Sequence, residues 1–202
     1  MTYLKPRKWW MWFGRFMAKC QKEDYKTQYK LGARWFDLRV SIPKQKDGSH
    51  GKPIFSHGLM DFKGTDPCEV LEWLNTKNNA YCRIILEKGN GIECELFKFY
   101  VKQWMNRYTN LKIVQIAKKG EWKNMLEPNA ETPFALKDAY ASANGHYPQY
   151  ENLHGILRSK TWSGLLLDDL YPWIYAKLHN RKNIERHKGE NIVLLLDFIG
   201  LR

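Results

Sequence analysis

Residues 33–58, ARWFDLRVSIPKQKDGSHGKPIFSHG, read as a strand, a polar loop and a second short strand. Trp35 to Val40 is rich in β-forming residues, and its charged members Asp37 and Arg39 stand two positions apart, so they share one face. A carboxylate and a guanidinium on an inward face are costly to desolvate unless they are paired or engaged. The loop KQKDGSHGK carries two glycines and an Asp-Gly turn signal, which makes His50 a solvated loop residue rather than a catalytic one. Pro53-Ile54-Phe55-Ser56 then leads into His57-Gly58, putting an imidazole at a strand's C-terminal end. A guanidinium to hold a phosphate and an imidazole to move a proton are what phosphodiester cleavage requires.

Outward from this stretch, strands and helices alternate. Glu23 to Leu31 reads as a short helix leading to Gly32. Thr65 to Asn78 is a helix with Asp66 as N-cap, Pro67 at its first position and Glu69 two residues on, burying Val70, Leu71 and Leu74. Tyr81 to Glu87 is a strand whose run Ile84-Ile85-Leu86 suits a parallel sheet covered on both sides. Phe97, Tyr100, Val101, Trp104, Met105 and Tyr108 recur at helical spacing as a core stripe. Leu111 to Ala117 is the next strand, FALKDAYA within 132–143 another, 148–178 mostly helix broken near Pro172, and NIVLLLDF at 191–198 a closing strand. The alternation predicts an α/β fold with a parallel sheet and outer helices. Arg39, His57, Glu87, Lys119, Asp138, Tyr140 and Asp197 all fall at or near predicted strand ends. In a (β/α) barrel those ends meet on one face, where such enzymes place their chemistry.

The chain of 202 residues suits a single domain, and no linker, repeat or low-complexity tract divides it. A (β/α)₈ barrel usually takes about 250 residues, so a barrel here would be incomplete or distorted. The 33 Lys and Arg against 21 Asp and Glu give a net charge of +12, which favours an anionic partner. No apolar run approaches the roughly 18 residues that span a bilayer. The segment Trp9 to Met17 is not a signal peptide: Trp dominates it, Arg15 interrupts it, and no small-x-small cleavage site follows. A cytoplasmic or peripheral-membrane location is therefore expected. Cys20, Cys68, Cys82 and Cys94 form neither a C-x-x-C pair nor a zinc spacing and read as free, mostly buried thiols.

The N-terminal run LKPRKWWMWFGRF interleaves cations with large aromatics. Trp9, Trp10 and Trp12 beside Lys and Arg suit peripheral contact with a membrane interface. The competing reading, and the one expected, is that they pack over the core, since three exposed tryptophans invite aggregation.

LGARWFDLRV followed by IFSHG resembles the X-region of the phosphatidylinositol-specific phospholipase C family. The bacterial, metal-independent branch has the same D-x-R strand and the same HG after the next strand, whereas the calcium-dependent branch carries an acidic residue where Arg39 stands. The resemblance covers roughly residues 19 to 200 and implies a TIM-like (β/α) barrel that needs neither metal nor cofactor. It implies that Arg39, held by Asp37, neutralises the non-bridging phosphate oxygens. His57 would protonate the leaving oxygen, and Asp197 would orient a catalytic histidine. It also implies that Asp138 and Tyr140, in LKDAY, meet the inositol ring, with Glu87 and Lys119 facing the substrate, a phosphoinositide or another phosphodiester.

One departure stands against these matches. The family's general base is a histidine upstream of the D-x-R strand, and no histidine precedes Asp37. Either the reading frame starts late and loses a first strand, or the protein is a non-hydrolytic relative that binds anionic lipid or phosphoinositide. Nucleic acid is not an expected partner, since only net charge points to it and no recognised motif does. A glycerophosphodiester phosphodiesterase would need Glu-x-Asp where Asp37-x-Arg39 stands.

Overall fold

The computed structural model describes residues 2–15, 19–119, 125–126, 135–138, 172–190 and 192–201. The chain divides into two compact units, Met1–Ala18 with Asp24–Trp122, and Lys19–Glu23 with Lys123–Arg202. In chain order the first unit holds β1 (Lys5–Pro6), a 3₁₀ turn (Trp9–Gly14), α1 (Tyr25–Lys30), β2 (Trp35–Ser41), β3 (Ile54–His57) and β4 (Met60–Lys63). It continues with α2 (Pro67–Asn75), β5 (Tyr81–Lys88), α3 (Ile92–Arg107) and β6 (Lys112–Lys118). Its six strands form one mixed sheet in the order β1-β4-β3-β2-β5-β6, which does not close on itself among the described residues.

The half made of β2, β5 and β6 is parallel, with Asp37 beside Arg83 and Ile84 beside Ile116. The other half corrects the all-parallel expectation. Strand β3 runs antiparallel to β2, pairing Val40 with Phe55, and a fourth strand, β4, pairs antiparallel to β3. The loop over 42–53 brings β3 back along β2, and the Gly58-Leu59 turn reverses the chain again between β3 and β4. Gly58 sits at φ +59° while Leu59 keeps a negative φ, the pattern of a two-residue II′ hairpin turn. A side chain at Gly58 would meet no atom within 4 Å, so backbone conformation and not space calls for glycine there.

Helix α2 starts as its sequence dictates: the Asp66 carboxylate accepts from the Cys68 amide at 2.7 Å, with Pro67 following the cap. Its Val70, Leu71 and Leu74 are fully buried, each worth about 1.5–3 kcal/mol of apolar burial. They meet Phe97, Val101, Trp104 and Tyr108 of α3 and its C-terminal cap, whereas Met105, assigned to that stripe from spacing, is exposed. Phe36, Leu38 and Val40 of β2 and Cys82, Ile84 and Leu86 of β5 complete this core. Burial pushes the Cys82 thiol up, and the nearby Asp37 charge adds to the effect. No disulfide joins the four cysteines; Cys82 is buried and the others are half-buried.

Two loop readings are overturned. His50 is half-buried and engaged rather than free in solvent: it bridges to Lys44, and its Nε2 lies 3.1 Å from Glu93 Oε1 in the first turn of α3. That contact with His50 holds the Glu93 carboxyl below its usual range. The tryptophans of the N-terminal run do not pack over the core. Met11 does, while Trp9, Trp10 and Trp12 remain 77%, 51% and 47% exposed.

The second unit contains β7 (Met125–Leu126), β8 (Ala135–Asp138), α4 (Pro172–Arg186) and β9 (Ile192–Leu195). Its strands order as β7-β8-β9, with β8 parallel to β9. The buried Asn180 of α4 donates from Nδ2 to the Asp197 carbonyl at 2.8 Å, tying the helix to the segment after β9. The helical stretch expected over 148–171 lies outside the described residues. Among those described, no helix is long and apolar enough to cross a membrane.

Candidate functional site: a charged sheet face

Alternation along β2 and β5 sends Phe36, Leu38, Val40, Cys82, Ile84 and Leu86 to the core and sets Asp37, Arg39, Arg83 and Glu87 on the opposite face. Parallel register places Arg83 beside Asp37. Arg83 is fully buried and donates from Nε to Asp37 Oδ1 and from Nη2 to Oδ2, both at 3.0 Å. This two-pronged pairing is the strongest geometry available to a guanidinium and a carboxylate. Arg39 adds bonds from Nε and Nη2 to Oδ2 at 3.2 and 3.1 Å. Burial alone would raise the Asp37 carboxyl, but the two guanidinium groups outweigh it and hold the group well below the usual carboxylate range.

Glu87, at the end of β5, has a side chain sealed from solvent. Its Oε1 accepts from the Gly58 amide at 2.6 Å and from Lys119 Nζ at 3.0 Å. Its Oε2 lies 3.6 Å from Arg39 Nη1, beyond hydrogen-bond length, and has no hydrogen-bond partner although buried. One carboxylate thus links the guanidinium of β2, the lysine after β6 and the backbone immediately after His57. Alongside, Asp61 of β4 accepts from Ser41 Oγ at 3.0 Å and pairs with Lys88 Nζ at 2.7 Å. Lys88 also donates to the Leu59 carbonyl at 3.2 Å. The β3–β4 hairpin is therefore stitched to the C-terminal ends of β2 and β5 at three points.

Of the residues singled out from sequence, Asp37, Arg39, Glu87 and Lys119 come together around these contacts, whereas His57, which shares a face with Phe55 and pairs with Met60 of the core, falls by alternation on the other side of the sheet from Arg39, one residue before the amide that Glu87 holds. Asp138 ends β8 and Asp197 follows β9, both in the second unit. Tyr140 lies outside the described residues. Sequence reasoning missed Arg83, Asp61 and Ser41. For Arg83 a signal existed: an arginine in YCRIILEK stands two residues from Ile85 and four from Glu87, on the face that parallel pairing turns toward Asp37.

Three cations, Arg39, Arg83 and Lys119, stand against two carboxylates, so the cluster carries excess positive charge. Arg39 keeps 16% of its side chain exposed. Among the described residues no three His, Cys, Asp or Glu side chains gather in a way that could hold a metal ion. Comparison with protein-family models, with curated proteins and with solved structures yields no match to this chain.

Proposed function

We propose that the charged face is a phosphodiester site, used as the resemblance to the metal-independent phosphatidylinositol-specific phospholipases C implies. The observation that carries the reading is Glu87, a sealed carboxylate that fastens Arg39, Lys119 and the His57-Gly58 turn to one another. Arg39, already oriented by Asp37, would neutralise the non-bridging oxygens as charge builds on them. His57 would deliver a proton to the leaving oxygen, a task suited to imidazole, with its ring turned round the end of β3 from the side of Phe55 toward Arg39. The attacking group in an inositol lipid would be the neighbouring 2-hydroxyl, which forms the new O–P bond and gives its proton to water as the bond to the glycerol oxygen breaks, leaving a cyclic phosphate and diacylglycerol. The parallel β2-β5-β6 layer with its helical crossovers supports the finer fold proposal, a TIM-like barrel with its chemistry at strand C-termini.

A second reading, a binding module for phosphoinositide or other anionic lipid, is favoured by one observation. His57 shares the core-side face of Phe55 and Met60, opposite to that of Arg39. Turnover of phosphatidylinositol and of bis(p-nitrophenyl) phosphate separates the two. The enzyme reading expects turnover that His57→Ala lowers by about 100-fold or more. Binding of the inositol lipid without turnover selects the module, and neither binding nor turnover removes both.

A further inference from the structure

The 3₁₀ turn after β1 is held rigidly at the border of the charged face. The Arg7 amide donates to the Asp61 carbonyl at 2.8 Å, and the Asp61 carboxylate in turn joins Ser41 and Lys88. Met11 is sunk in the core, so the turn is anchored from below while Trp9, Trp10 and Trp12 stay outside. Arg15 fixes the other end, donating from Nη2 to the carbonyls of Tyr3 and Leu4 at 3.0 and 3.1 Å, with its guanidinium 4.9 Å from the Trp12 ring centre. Lys8 stands over Trp10 at 5.9 Å. An open cleft of about 520 Å³ runs between the three tryptophans and Arg7, Lys8 and Lys63, and no carboxylate lines it.

None of the three tryptophans joins the core cluster, and contiguous exposed apolar surface of this kind marks an interaction site. Tryptophan is the side chain that partitions to the headgroup level of a bilayer, its ring in the apolar boundary and its N–H in the wet layer. Cations within a few ångströms of those rings meet anionic headgroups. Nucleic acid fits less well, because base stacking needs open ring faces and the cations of Lys8 and Arg15 stand over Trp10 and Trp12.

We propose that Arg7, Lys8, Lys63 and the tryptophans at 9, 10 and 12 form a docking surface for an anionic lipid bilayer. The surface stands on its own residues and does not depend on the phosphodiester reading. Its place next to Asp61 would bring the charged face to a membrane-borne substrate.

Sedimentation of the full chain with phosphatidylcholine vesicles, with and without phosphatidylglycerol, tests it, and turnover of soluble bis(p-nitrophenyl) phosphate reports the charged face separately. The expected result is binding only when phosphatidylglycerol is present, weakening with salt. It falls by about tenfold or more in Trp9→Ala/Trp10→Ala/Trp12→Ala and again in Arg7→Glu/Lys8→Glu. Brominated acyl chains should quench the wild type's tryptophan fluorescence more than that of the triple variant. Equal sedimentation of wild type and both variants overturns the proposal. So does equal binding to neutral vesicles, or retention of a single-stranded oligonucleotide with no vesicle binding.

Discussion

The two faces of the β2–β5 layer are made from alternate residues of the same strands, yet they are held by different physics. On one face Phe36, Leu38, Val40, Cys82, Ile84 and Leu86 join a cluster in which each contact is weak, non-directional and replaceable. On the other, Asp37, Arg39, Arg83 and Glu87 depend on a few directed bonds whose partners have no substitutes. The first face tolerates small losses of volume. The second is all or nothing, because a buried charge deprived of its partner retains its full desolvation cost.

The sharpest way to break that contrast is Arg83→Met. It leaves Asp37 without two of its bonds, and urea unfolding should register a loss of about 3–5 kcal/mol. Adding Asp37→Leu should recover part of that loss, since removing both partners is far milder than removing one. A loss under about 1 kcal/mol in the single variant would mean the polar face is no more demanding than the core.

Acid should distinguish the faces next. The folded Asp37 carboxyl lies below its unfolded value of about 3.9, so its contribution is whole above that pH and is lost as pH falls toward the depressed folded value. Thermal melting measured down through that window should fall more steeply for the wild type than for Asp37→Asn. The smallest effect belongs to the core face, where Ile84→Val should cost about 1 kcal/mol in the same urea experiment.

How far these faces were legible in the sequence follows from how local each signal is. Strand β2, the Asp66 cap and the α3 stripe are written in short-range periodicity and cap chemistry, and they appear nearly where the residues put them. The direction of β3 was not legible in that way, because a four-residue strand carries little pattern and the 42–53 loop does not show which way the chain returns; the Gly58-Leu59 turn ahead of MDFK signals only the hairpin with β4. Arg83 was hidden by its apolar neighbours: a continuous run reads as uniform burial, and only the register with Asp37 gives the arginine its meaning. The exposure of Trp9, Trp10 and Trp12 was concealed because composition says tryptophan prefers burial, while here it is Met11 that turns inward. Asp37, Arg39, Glu87 and Lys119 could be gathered from sequence since strand ends converge. The roles of Ser41 and Asp61 depend on a hairpin the pattern did not reveal.

The central claim is that Arg39 and His57 serve one phosphate, and a double-mutant cycle on binding of inorganic phosphate measures it directly. Arg39→Gln and His57→Ala should each weaken binding by about tenfold, and the double variant should lose less than the product of the two. Losses that simply multiply, or a single variant that binds as the wild type does, would contradict the account.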